Sequence, residues 1–262
     1  MGIGGKDFSS KNITMTKTVT DPKLIKELQR YREENSLLMD KFYQLTQQIE
    51  KQRINSYEDL QQINQYAAQN LIQLASNKQS FQLGERSFGF FGLTSTGKST
   101  IINKLIGFDL AETGAGETTQ EIQPYDGQGY RLYDIPGRND DLSYFTMEYI
   151  AFWKGLTGRL IVITSTIKEM TKVFRLLDAI QLRYDIIVNK FDLVPIEETQ
   201  IFKQKIDKQI RENNLQGIDH IWYVSALNPN QFPHWLVMVD SLTNNTNYIS
   251  NDFDLIDYLI YE

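Results

Sequence analysis

Gly92-Leu93-Thr94-Ser95-Thr96-Gly97-Lys98-Ser99 puts two glycines, three hydroxyls and a lysine into the first seven of eight consecutive positions, with a further hydroxyl at the eighth. An apolar run, Ser87–Phe91, precedes it, and a helical pattern opens at Lys98. Glycines let the backbone curl so that its N–H groups point inward, and a helix N-terminus adds partial positive charge. The stretch therefore reads as a cradle for a nucleoside triphosphate. Lys98 would reach the terminal phosphates, the Ser99 hydroxyl would bind Mg²⁺, and Thr100 would join the groups around the phosphates.

Asp134-Ile135-Pro136-Gly137 closes another β-like run. An aspartate at a strand tip can hold the Mg²⁺ through water, and Gly137 offers an N–H to a γ-phosphate. The same residues also make an ordinary turn. Asn189-Lys190-Phe191-Asp192 follows a later apolar run. A carboxylate at Asp192 can accept from the N1–H and the exocyclic amine of guanine, a donor pair that adenine lacks. Asn189 and Lys190 would brace that loop. Ser225-Ala226-Leu227 stands after the last β-like run, where the Ala226 N–H would face a guanine O6. Asp192 thus argues for GTP and GDP and against an ATP-using kinase or ATPase.

These spacings resemble the GTPase superfamily of Ras-like G domains, over roughly residues 87 to 242. Within it, Lys98-Ser-Thr-Ile-Ile-Asn-Lys-Leu-Ile-Gly107 and Thr113-Gly-Ala-Gly-Glu-Thr-Thr-Gln-Glu-Ile-Gln-Pro-Tyr125 are similar to segments of immunity-related and dynamin-like GTPases. The resemblance implies that Thr119 is the switch threonine completing the Mg²⁺ shell, with Thr118 adjacent. It also implies a glutamine after the Gly137 position, where this chain has Arg138. Arginine has donors and no acceptor, so it cannot orient an attacking water as glutamine does. Arg138 is then either a charge stabiliser, in cis or across a dimer, or a solvated loop residue. Intrinsic hydrolysis is expected to be slow and raised by self-association. The competing expectation is a scaffold that holds GTP or GDP without cleaving it.

The elements that must position these groups follow a strand–helix alternation. β-rich runs fall at Ser87–Phe91, Ile122–Tyr125, Tyr130–Tyr133, Leu160–Thr164, Asp185–Val188 and Ile221–Val224. Helical stretches fall near Lys98–Ile106, Leu142–Trp153, Lys168–Gln181, Glu197–Glu212 and Pro233–Leu242. This alternation predicts an α/β fold, a three-layer, six-stranded and mostly parallel sheet whose second strand runs antiparallel beside the third.

Ahead of it lies a helical region. From Asp21, with Pro22 in the first turn, apolar residues recur at Leu24, Leu28, Tyr31, Leu38, Phe42, Leu45 and Ile49, interrupted by Asn35. Such a stripe suits a coiled coil or, preferably here, a helix lying on its own domain. Ser56 and Asp59 form a capping-box pattern for a second helix with Leu60, Ile63, Ala67, Leu71 and Leu74 on one face, ending near Ser76. The organisation expected is a disordered tail over 1–21, a helical region over 22–80, a G domain over 81–243 and a helical tail over 244–262.

The chain has 262 residues, 41% hydrophobic and 23% charged, with a formal net charge of −6. Its acidic balance argues against a generic nucleic-acid binder. With no cysteine, disulfides and thiolate metal sites are excluded. No apolar run approaches the ~18 residues that cross a bilayer, and MGIGGKDFSS lacks the apolar centre of a secretory signal. Gly2 is followed by Lys6 where lipidation favours Ser or Thr. A cytoplasmic location is expected, with peripheral membrane association as the alternative, one that no segment of the sequence supports. Partners would be the guanine nucleotide and a second copy, through the G domain or the N-terminal helix. His220 and His234 are isolated and read as packing residues.

Overall fold

The computed structural model describes residues 22–34, 44, 61–62, 65–76, 80–84, 86–107, 109, 111, 122–127, 129–136 and 147–244. The tail over 1–21, the stripe positions Asn35, Leu38, Phe42, Leu45 and Ile49, the Ser56–Asp59 capping box and the C-terminal segment over 245–262 lie outside them.

Six strands form the sheet: β1 (Ser87–Phe91), β2 (Gln123–Asp126), β3 (Arg131–Asp134), β4 (Gly158–Ile163), β5 (Tyr184–Val188) and β6 (Ile218–Tyr223), in the order β2-β3-β1-β4-β5-β6. β2 runs antiparallel to β3 and the other neighbours are parallel, as expected. β1 is buried along its whole length. A parallel strand covered on both faces has no solvent side, which explains why Phe88, Phe90 and Phe91 can point to either face.

Side chains alternate between two apolar layers, as the two-residue period of a strand requires. Phe91, Tyr133, Ile161, Ile163, Ile186 and Val188 face one layer. Phe90, Leu132, Leu160, Val162 and Ile187 face the other. The first layer is covered by α4 (Met147–Gly155), α5 (Thr171–Ala179) and α6 (Thr199–Glu212), through residues such as Phe152, Phe174 and Ile206. The second is covered by α3 (Lys98–Ile106) and α7 (Pro233–Asn244), through Ile101, Ile102, Trp235 and Met238.

The N-terminal helices α1 (Pro22–Glu34) and α2 (Gln65–Ser76) add Leu24, Ala68 and Ala75 to the first layer. Lys154 of α4 donates to the Ala75 and Ser76 carbonyls at 2.9 and 3.1 Å, satisfying the end of α2. Among the described side chains of α2, Ala68 and Ala75 are buried, with Ile72 packed beside them. Among the described residues no helix is long and apolar enough to cross a membrane.

Two departures from the sequence reading have side-chain causes. The helix expected over 168–181 is split: Thr166 and Glu169 form a capping box around a 3-10 turn at Ile167–Glu169, and α5 starts only at Thr171. β6 starts at Ile218 rather than Ile221, where Asp185 of β5 bonds His220 Nδ1 at 3.1 Å and accepts from Trp222 Nε1 at 2.9 Å.

Candidate functional site

All parallel strands point their carboxyl ends toward one edge, and the motif loops leave from that edge. In open α/β sheets this is where ligands bind.

The 92–99 loop departs from β1 with Gly92 at φ 149 and ends with Gly97 at φ 92. A Cβ on Gly92 would lie 2.3 Å from the Val162 carbonyl oxygen, and one on Gly97 2.3 Å from Asn189 Nδ2. Both positions thus require glycine for backbone angle and for space. Gly97 is also the N-cap of α3 and supplies no side-chain cap. The first-turn N–H groups of α3 are therefore left to an anion.

Lys98 is buried, and its ammonium donates to the Gly92 and Leu93 carbonyls at 3.1 and 3.2 Å. Burial pushes its pKa down, and the charge of Asp134 partly offsets that. Ser99 Oγ donates to Asp134 Oδ2 at 2.6 Å, and Asp134 is fully buried. A hydroxyl and a carboxylate in contact form a hard-oxygen pair suited to Mg²⁺, which takes one or two protein oxygens and completes its shell with phosphates and water. Among the described residues no group of three or more His, Cys, Asp or Glu could hold a metal by itself.

The 189–192 loop is locked to the phosphate loop. Asn189, buried, donates from Nδ2 to the Thr96 carbonyl at 2.8 Å. Lys190 sits in the left-handed region and donates to the Ser95 carbonyl at 2.8 Å. Phe191 is buried among Tyr223, Phe202 and Phe232, with ring centroids 5.0, 5.7 and 5.9 Å away. That anchor projects Asp192 from a 3-10 turn at Phe191–Leu193.

The Ala226 N–H, expected to face a base, donates to Asn189 Oδ1 at 3.0 Å. Ser225 Oγ accepts from the Asn228 N–H at 3.1 Å. Thr94, Ser95 and Thr96 complete the loop, with Thr96 Oγ1 donating to the Leu93 carbonyl at 2.9 Å, and Thr100 sits half-buried in α3. Thr118, Thr119, Gly137 and Arg138 lie outside the described residues.

Two residues escaped the sequence reading. Asn228 donates to Asp192 Oδ2 at 3.2 Å. Glu169 accepts from the N–H groups of Thr164, Ser165 and Thr166 at 3.0–3.3 Å, which fixes the loop after β4. The available signals were an Asn-Pro pair and a Thr-x-x-Glu box. A cavity of about 540 Å³ adjoins this region, walled by Leu93–Thr96, Glu169, Lys190 and Phe202. Ser99, Asp134 and Asp192 do not line it, so it borders the phosphate loop apart from the hydroxyl–carboxylate pair and from Asp192.

A family model described as 50S ribosome-binding GTPase matches residues 87–225, over half the chain. The chain belongs to this GTPase family. Its match begins at β1 and ends at Ser225, so it takes in the phosphate loop, Asp134 and the 189–192 loop. Among solved structures, the chain is similar to a GTP-binding protein from the hyperthermophilic archaeon Sulfolobus solfataricus in complex with GDP. The identity is 16%, covering 88% of this chain and 68% of that one, with a TM-score of 0.43. A probable GTP-binding protein engB is 17% identical, over 58% of this chain and 97% of its own, with a TM-score of 0.39. A bacterial selenocysteine-specific elongation factor is 16% identical over 62% of this chain and 29% of its own, with a TM-score of 0.40. No curated protein sequence matches the chain.

Proposed function

We propose that this protein binds GTP and GDP with Mg²⁺ and hydrolyses GTP slowly, at a rate raised by self-association. The observation that carries the reading is Asn189, whose two amide ends join Thr96 of the phosphate loop to Ala226 beyond β6. One buried side chain thereby sets the distance between the phosphate seat and the base-reading carboxylate of Asp192.

In this reading the α3 N-terminus and Lys98 bind the phosphates, and Asp192 reads guanine between Lys190 and the 225–228 loop. The Ala226 N–H can be shared between Asn189 and the guanine O6. Ser99 and Asp134 would hold Mg²⁺, with Thr119 joining when GTP is bound. The metal would neutralise charge on the β- and γ-phosphates. Gly137 would offer its N–H to the γ-phosphate, and Arg138 would stabilise charge there, in cis or from a second copy. Residues 81–243 form the G domain in this proposal, and 22–80 a helical region docked on it. The segments 98–107 and 113–125 support an immunity-related or dynamin-like branch, and the acidic, cysteine-free composition supports a cytoplasmic protein.

Arg138 also favours a second reading, a scaffold that holds the nucleotide without useful turnover. Calorimetry with GDP and a non-hydrolysable GTP analogue in Mg²⁺ tests binding. Turnover per molecule, followed against protein concentration, tests the enzyme. The reading expects binding of both nucleotides and a specific rate that climbs with concentration. No uptake of either nucleotide would sink it, and uptake without single-turnover cleavage would leave the scaffold.

A further inference from the structure

We propose that Asn228 is a positioning residue for guanine specificity, aligning the Asp192 carboxylate so that it accepts two base N–H groups at once. This rests on the function proposed above for Asp192.

The backbone of Asn228 is held on both sides. Its N–H donates to Ser225 Oγ at 3.1 Å, and its carbonyl accepts from the Gln231 N–H at 3.1 Å. It occupies the N-cap of a 3-10 turn at Pro229–Gln231, with φ −124 and ψ 56. An N-cap asparagine ordinarily turns its side chain onto the first turn it opens. Here it makes no cap bond, and the amide crosses to the other loop to donate to Asp192 Oδ2. A local role has been given up for a long-range one. Asn228 itself is exposed.

An aspartate carboxylate rotates easily about its last torsion, which has broad, two-fold minima. Asp192 is half-exposed, so packing alone does not set that torsion. A donor fixed on one oxygen sets the plane of the group. It occupies one of about four lone-pair positions and leaves the others for a ligand. Guanine presents N1–H and the 2-amino group side by side, and both bonds form well only if the carboxylate lies in the plane of the base. Hypoxanthine presents N1–H alone and asks for no such alignment. Asn228 should therefore matter more for GDP than for IDP.

GDP and IDP are titrated into the full chain with Mg²⁺, for the natural protein, Asn228→Ala and Asn228→Asp, with thermal melting of each. In Asn228→Ala we expect the Kd for GDP to rise about three- to tenfold, the scale of one partly exposed hydrogen bond to a charge. The Kd for IDP should move little, so the GDP-over-IDP preference shrinks. Asn228→Asp sets a second carboxylate against Asp192 and should weaken GDP further. Equal weakening of both nucleotides, or no change in either, would overturn the inference while leaving nucleotide binding intact. A natural protein that takes up GDP without preferring it to IDP would instead remove the role of Asp192 itself.

Discussion

Lys98 shows what the site asks of one side chain. Its amine is buried against two carbonyls, and burial lowers its pKa although Asp134 partly opposes this. With the folded value below the unfolded one, the unfolded chain holds more protons between the two, so stability rises as pH climbs through that interval. Below that interval the ammonium opposes folding, and an incoming triphosphate would relieve it with opposite charge. Lys98→Met keeps the stem and removes the charge. The ligand-free Tm should hold or rise, while GTP affinity falls roughly tenfold to a hundredfold, as for a lost charge-assisted bond. Calorimetry and melting on one preparation check both, and a lower Tm with unchanged affinity would contradict the account. The grouping of Lys98, Ser99 and Asp134 was legible because it depends on spacing along strands and a helix. Asn228 and Glu169 were not, because their partners are fixed by how separate loops fold toward one another.

At the scale of elements, the question is what keeps the phosphate loop and the base loop in register. Gly97 begins α3 at φ 92, directly against the Asn189 amide that bonds Thr96. Gly107 ends the same helix at φ 78, and a Cβ there would meet nothing within 4 Å. Alanine at either position meets left-handed strain of about 1–2 kcal/mol. Only Gly97→Ala also displaces Asn189. Urea unfolding should therefore give a loss of about 1 kcal/mol for Gly107→Ala and roughly 2–4 kcal/mol for Gly97→Ala, with nucleotide affinity lost only in the latter. Equal losses would mean that Asn189 adapts and does not set the register. The six strands and the antiparallel pairing of β2 with β3 were readable from alternation and apolar runs. The ends of β6 and α5 were not, because side chains placed them: Asp185 reaching His220 and Trp222, and Glu169 closing its own turn.

For the whole molecule, the open matter was whether the α1 stripe lies on its own sheet or pairs with a second copy. Leu24 is 1% exposed and belongs to the cluster that contains Phe152, Trp153 and Phe174. The Glu27 carboxylate accepts from the Gln82 N–H at 3.2 Å, and the Phe81 N–H donates to the Ala151 carbonyl at 3.0 Å, so the chain entering β1 is bound to both α1 and α4. The start of α1 thus closes the apolar layer over α4 within one chain. Leu24→Ala should destabilise by roughly 2–4 kcal/mol, the range for a buried leucine. A contact within one chain predicts the same denaturation midpoint at low and high protein concentration, for the natural protein and the variant alike. A midpoint that rises with concentration in the natural protein and loses that dependence in Leu24→Ala would place the stripe between two copies, because only an intermolecular contact is governed by mass action.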